Sequence, residues 1–271
     1  MVLAAFEGWN DAGEAASSAL AHLAEVWQAE PVAALDPEPY HDFQVNRPVV
    51  ALGDDGRRRI TWPTTRISRA RPPGAHHDVL LVRGPEPSMR WMTWTDEVLG
   101  HLQRAGAGML VTLGALLADV PHTRPIPVTS TADDEELLHR LALEPSRYEG
   151  PTGILGVLQD AAGRRGVPTL SLWAAVPHYV GHSPSPKAVL ALLTRIEELL
   201  AVPVPLGDLP EEARAWQTGV DELAGEDAEI AEYVRQLEQA KDTAELPEAT
   251  GEAIAREFER YLRRRGDGPR G

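Results

Sequence analysis

Apolar positions along the chain fall into blocks with two different periods. Val2 to Phe6 is continuously apolar and bounded by Gly8, the pattern of a short buried strand. Ala15, Ala16, Ala19, Leu20, Leu23 and Trp27 then recur at helical spacing up to Pro31, which is expected to end the helix. Asp11 is placed to cap it, with Glu14 three residues on in the reciprocal position of a capping box. Val79 to Val82 is the strongest core-strand pattern. Trp91, Trp94, Val98 and Leu102 follow on one helical face. Met109 to Leu113 and Thr169 to Ala174 read as two more buried strands, and 133–143 and 153–163 as helices. Ser185 before Pro186 marks the start of a helix through Leu190, Leu193, Ile196 and Leu200. Between Val49–Leu52 and Arg57–Trp62, the Asp54-Asp55-Gly56 turn predicts an exposed hairpin arm.

Strands alternating with helices from 1 to 205 predict an α/β fold, with a mostly parallel or mixed central sheet covered by helices on both faces. Beyond that point the character changes. Residues 207–271 hold 17 acids and 9 bases and no strand pattern. Ile230, Val234 and Leu237 form one helical stripe there, and Ile254, Phe258, Tyr261 and Leu262 another. The expected organisation is therefore a core domain over 1–205 and an acidic helical appendage over 206–271, ending in a frayed tail.

Charge narrows the partners. A formal net charge of -15 leaves little positive surface for duplex nucleic acid or an anionic membrane, so neither is expected. The absence of cysteine removes thiolate chemistry, disulfides and thiol-based metal sites. No apolar run reaches membrane-spanning length and the first residues lack a basic leader, which together predict a cytoplasmic protein.

Candidate chemistry lies in four loops. If the four buried strands run parallel, the segments after them gather at the carboxyl edge of the sheet, where open α/β folds form crevices. These loops carry Trp9, Asn10 and Asp11; Arg83 and Glu86; Asp119, His122 and Arg124; and His178 with Tyr179. Arg83 and Arg124 are candidate joint donors for a weakly bound anion, because guanidinium groups can satisfy carboxylate or phosphate bidentately. A structural reading stands beside several of these, and Asp119 suits holding the Gly114 to Pro121 loop through backbone hydrogen bonds. Asp11 suits a helix cap, His122 and Arg124 suit an interface or loop ion pair, and His178 with Tyr179 suits a buried hydrogen-bonding pair. Dinucleotide, Walker and nucleophile-elbow signatures are missing, and His76-His77-Asp78 lacks a third metal ligand. No cofactor is expected.

Four stretches carry a family resemblance: Glu7-Gly8-Trp9-Asn10-Asp11-Ala12-Gly13, Gly114 to Pro125, Tyr148 to Gly156, and Ser171 to Tyr179. In order and spacing the chain resembles the proteasome assembly chaperone family, in its actinobacterial branch. The resemblance implies a fold similar to the phosphorylase/hydrolase-like architecture and a homo-oligomer, with a trimer as one form. It also implies noncovalent protein binding, with a proteasome α-subunit as partner in archaeal and eukaryotic relatives. It brings no catalytic residue set. Some eukaryotic relatives dock through a C-terminal hydrophobic residue, a tyrosine and one final residue, whereas this sequence closes Gly268-Pro269-Arg270-Gly271. The alternative is a small-molecule binder or a hydrolase/phosphorylase-like enzyme using the loop crevice. The apolar faces of the first helix, of Trp91–Leu102 and of the C-terminal stripes are the expected self-association surfaces.

Overall fold

The computed structural model describes residues 1–245 apart from 54, 144, 147 and 182. Among these, nine strands are β1 (Val2–Glu7), β2 (Glu30–Ala34), β3 (Val49–Leu52), β4 (Arg58–Thr61), β5 (Arg66–Ala70), β6 (Val79–Pro85), β7 (Leu110–Ala118), β8 (Val128–Ala132) and β9 (Thr169–Pro177). The α-helices are α1 (Ala15–Val26), α2 (Trp91–Arg104), α3 (Glu135–Leu141), α4 (Ile154–Arg164), α5 (Pro186–Leu200), α6 (Leu209–Glu226) and α7 (Ala228–Glu245). Seven strands form one mixed sheet in the order β2-β5-β6-β1-β7-β9-β8, and β3 pairs with β4 alone.

The four strands expected from sequence lie together at the centre and run parallel, in the order β6-β1-β7-β9. Each is buried on both faces, which explains their continuous apolar patterns. Successive residues of β1 point to opposite sides. Leu3 and Ala5 join α1 and α5 in one core, whereas Val2, Ala4 and Phe6 join α2 and α4 in the other. In the second core Trp94 is fully buried, stands edge-on to Phe6 at 5.2 Å, and donates its indole N–H to Thr65 Oγ1 at 2.9 Å.

Three strands were not expected. β2, β5 and β8 are antiparallel additions at the two sides of the sheet, and their patterns mix exposed and buried residues. Pro31 does not simply stop α1, because it lies inside β2. An edge strand accommodates proline because one side of its backbone pairs with nothing. β7 runs on through Gly114 to Ala118, a stretch read as loop. Gly114 is needed there, since a Cβ would come within 2.6 Å of the Trp173 ring.

The helix starts also differ from expectation. Ala12–Glu14 forms a 3-10 turn, with Glu14 left-handed at φ 51° and its side chain exposed, so no capping box forms. Asp11 still caps α1 from behind that turn, its Oδ1 accepting from the N–H groups of Ala16 at 2.7 Å and Ser17 at 3.1 Å. Ser185 precedes α5 as expected, but its hydroxyl is buried and makes no cap bond.

α6 packs on α5, and α7 on α6. Val234 of the first C-terminal stripe is buried, with Ile230 and Leu237 partly covered. The second stripe and the tail lie outside the described residues. The apolar faces of α1 and of α2 are covered within the chain itself, so they are not the free self-association surfaces that their sequences suggested.

Candidate functional site

β1, β6, β7 and β9 all end at the same edge of the sheet, and the loops after them separate into two neighbourhoods. The helix following β1 packs on one face of the sheet, while the helix following β6, its neighbour, packs on the other. Between such strand ends the connections diverge and leave a crevice. A cavity of about 470 Å³ opens there, walled by Glu7, Gly8, Asp11, Glu14, Ser17, Ser18, Ala21, Arg83 and Gly84.

Its electrostatics are mixed. Burial raises the Glu7 pKa, and Asp11 and Glu14 raise it further, against the opposing pull of Arg66 and Arg83. Asp11 is also raised by burial, partly offset by its hydrogen bonds from Ser17 and Ala16. The Arg83 guanidinium makes no hydrogen bond or ion pair among the described residues. Asn10 and Glu86 lie behind the cavity as structural partners. The Asn10 side-chain amide donates to Glu86 Oε1 at 3.0 Å, and the same oxygen accepts the Ile154 N–H at 2.9 Å, capping α4. The Asn10 carbonyl accepts the Ala115 N–H at 2.8 Å, tying this loop to β7. Trp9 projects outward, 70% exposed.

The second neighbourhood joins the loops after β7 and β9 to the C-terminal helices. His122 is 1% exposed and bonded on both ring nitrogens. Its Nε2 lies 2.9 Å from Asp221 Oδ1 on α6 and its Nδ1 lies 2.8 Å from the Tyr179 hydroxyl. A carboxylate only accepts, so the ring proton sits on Nε2. The tyrosine hydroxyl then donates to Nδ1 while its oxygen accepts the His122 backbone N–H at 2.8 Å. A neutral imidazole satisfies every partner. Burial lowers the His122 pKa below its ordinary value of 6.5, against the opposing effect of Asp221. The Tyr179 phenol is pushed up to about 12, chiefly by burial.

Around this pair the remaining polar residues tie the same elements. Arg124 grips Asp242 of α7 bidentately, with both contacts at 2.8 Å, and reaches Glu238 Oε1 at 3.2 Å. The Thr123 hydroxyl donates to Glu238. Asp119 Oδ1 accepts from the Tyr233 hydroxyl at 2.9 Å and lies 3.3 Å from His178 Nδ1. The rings of His178, Tyr179 and Tyr233 meet edge to face. Lys187 Nζ donates to the His122 carbonyl and, at 2.6 Å, to Gln217 Oε1 of α6.

Asp119, His122, Arg124, His178 and Tyr179 are therefore brought together, and Asn10, Asp11 and Glu86 form a separate group near Arg83. The cavity beside Arg83 is not lined by Arg124, whose guanidinium is engaged by α7. Asp78 pairs with Arg71 at 2.6 Å, and among the described residues no group of three His, Asp or Glu could hold a metal ion. No helix among them is long and apolar enough to cross a membrane.

The partners on α6 and α7 were missed from sequence. Two signals were available: Glu238 and Asp242 share a helix face at i, i+4, and Lys187 is one of only two lysines beside 24 arginines.

The PAC2 family matches residues 5–224, which runs from β1 almost to the end of α6. The chain belongs to the PAC2 family. It is 58% identical to a PAC2 family protein from Streptomyces avermitilis, covering 86% of this chain and 98% of that one, with a TM-score of 0.81. The Mycobacterium tuberculosis proteasome-assembly chaperone homologue Rv2125 is 53% identical over 86% of this chain and 99% of its own, with a TM-score of 0.77. The fold extends to Pyrococcus furiosus PbaB, an archaeal proteasome activator, at 17% identity over 82% of this chain and 92% of that one, with a TM-score of 0.64. No curated protein matches the chain.

Proposed function

We propose that this PAC2 protein is a proteasome-assembly-chaperone-like factor that holds protein partners noncovalently, in the cytoplasm and as a homo-oligomer, with a trimer as the first form to test. Its proposed partner is a proteasome α-subunit. The observation that carries the reading is how the polar loop residues are used. His122, Thr123, Arg124, Asp119 and Tyr179 are engaged in holding α6 and α7 against the body, an arrangement suited to building a shaped surface. The identity to the mycobacterial chaperone homologue supports the same reading. In this view 1–205 is the core domain, similar in layers to the phosphorylase/hydrolase-like architecture, and 206–271 is the helical appendage that shapes its carboxyl edge.

Reconstitution of proteasome rings from purified α-subunits, with and without the protein and followed by native mass spectrometry, tests it. A complex between the chain and an α-subunit, with raised ring yield, is expected. No complex and no change in ring yield would reject the α-subunit assignment.

A second reading, a small-molecule site at the β1/β6 crevice, is favoured by the Arg83 guanidinium, which has no partner among the described residues, in a cavity of ligand size. Titration calorimetry with inorganic phosphate and with succinate decides it. Heat seen with the native protein and lost in Arg83→Ala supports the site. No heat with either anion rejects it.

A further inference from the structure

We propose that the β3–β4 arm is an intermolecular clamp that docks on the acidic surface of a second copy of this chain. The inference deepens the self-association in the reading above by naming the surface and its occupant. It begins from the arm's exposure, since every residue of both strands is exposed. Val50 pairs directly with Ile60, and Leu52, two residues along, falls on the same face. These three side chains are 57%, 60% and 73% exposed. At the arm's base Trp62 stands edge-on to Phe43 and remains 45% exposed.

A lone two-stranded hairpin is marginally stable in water, and among the described residues nothing covers either face of this one or pairs with its outer edges. An exposed arm with an apolar face is a feature that soluble monomers avoid and interfaces use. The apolar stripes of α1, α2 and α5 are already covered, so among the described residues the arm stands out as an apolar element left without a cover.

Charge identifies the occupant. Residues 45–62 carry Arg47, Arg57, Arg58 and Arg59 against Asp54 and Asp55, a net charge of +2. Subtracting this from the chain total of -15 leaves -17 on the other 253 residues. A basic arm on an acidic body is complementary to another copy of the same molecule, whose arm returns the contact or passes it on. A returned contact gives a two-fold dimer, and a contact passed on gives a ring where the rotation closes. The arginines alternate along β4, so Arg58 shares the face of Ile60 and places charge beside the apolar contact.

The test uses the full chain. Light scattering across a dilution series is expected to give a multiple of 29.5 kDa for the native protein, dissociating more readily as salt is raised. Val50→Ser combined with Ile60→Ser should raise the dissociation constant at least about tenfold, since both remove apolar contacts that the docked arm would bury. Its thermal midpoint, measured at a dilution where both proteins are dissociated, should match that of the native chain because both sites are exposed in the single chain. Because the chain lacks cysteine, Leu52→Cys offers a unique thiol for a benzophenone cross-linker. Cross-links from position 52 are expected to map to a second copy. A native protein that is monomeric at tens of micromolar, an oligomer unchanged by the double substitution, or cross-links confined to the chain's own body would each overturn the proposal. Ring yield with α-subunits is read separately, so failure of the arm leaves the chaperone reading to its own test.

Discussion

Gly84→Ala is expected to cost about 4 kcal/mol, the most severe single-methyl change among the glycines of the sheet. Gly84 lies near the end of β6 with φ at +153°, a conformation that a side chain rarely adopts. A Cβ there would stand 2.3 Å from the Thr64 carbonyl oxygen and 3.0 Å from its carbon, and backbone cannot yield as a flexible side chain can. Moving Thr64 would disturb its hydroxyl bond to the Leu35 carbonyl and the adjacent Thr65, which accepts from Trp94 and whose carbonyl holds the Leu35 N–H at 3.0 Å. The damage therefore spreads from β6 through the Thr64-Thr65 segment before β5 to the Trp94 core. Gly74→Ala is the control. It also has positive φ, but nothing lies within 4 Å of the added methyl, and a loss of about 1 kcal/mol is expected from backbone strain alone. Urea unfolding measures both, and a loss under 1 kcal/mol for Gly84→Ala would show that the close approach is relieved at little cost.

His122→Ala should remove about 2–3 kcal/mol and loosen the C-terminal helices in particular. The substitution empties a buried site, leaves the Tyr179 hydroxyl without its ring partner and cuts the bond to Asp221 on α6. Limited proteolysis is expected to release α6 and α7 faster than it attacks the sheet. Unchanged cleavage would mean that Arg124 and the apolar contacts of α6 hold the helices without His122. The same residue makes stability depend on pH. Burial holds its folded pKa below the ordinary 6.5, so between those two values the unfolded chain binds a proton that the folded chain does not. Stability therefore rises with pH through that window and falls on acidification below about 6.5. Glu7 and Asp11, whose pKa values are raised, act in the opposite sense nearer the ordinary carboxylate range. Comparing native protein with His122→Gln at pH 7.5 and 5.5 isolates the histidine, and the native protein is expected to lose more stability between the two.

The proposed assembly role draws on this clasp. A helical pair held to the sheet edge by polar contacts can shape a docking surface without any reactive group. Arg124 contributes through its fork to two acids on α7, a geometry that lysine could not reproduce.

Sequence by itself determined the central architecture. The runs Val2–Phe6, Val79–Val82, Met109–Leu113 and Thr169–Ala174 had to be buried on both faces, and strands of that kind lie at the centre of a helix-covered sheet. It also determined the exposed hairpin, because Asp55-Gly56 sets a local turn and local turns need no distant partner. The family was legible from the order of four loop motifs. The side strands β2, β5 and β8 were not, since their mixed patterns become strands only when a neighbour supplies the ladder hydrogen bonds. The same limit applied to the site. Asp11 announced its cap because capping acts within a few residues, whereas the partners of His122 lie 57 and 99 residues away. Such pairings carry no local pattern, and only the return of α6 and α7 across the sheet edge decided which polar loop residues would meet a partner and which, like the Arg83 side chain beside an open cavity, would have none among the described residues.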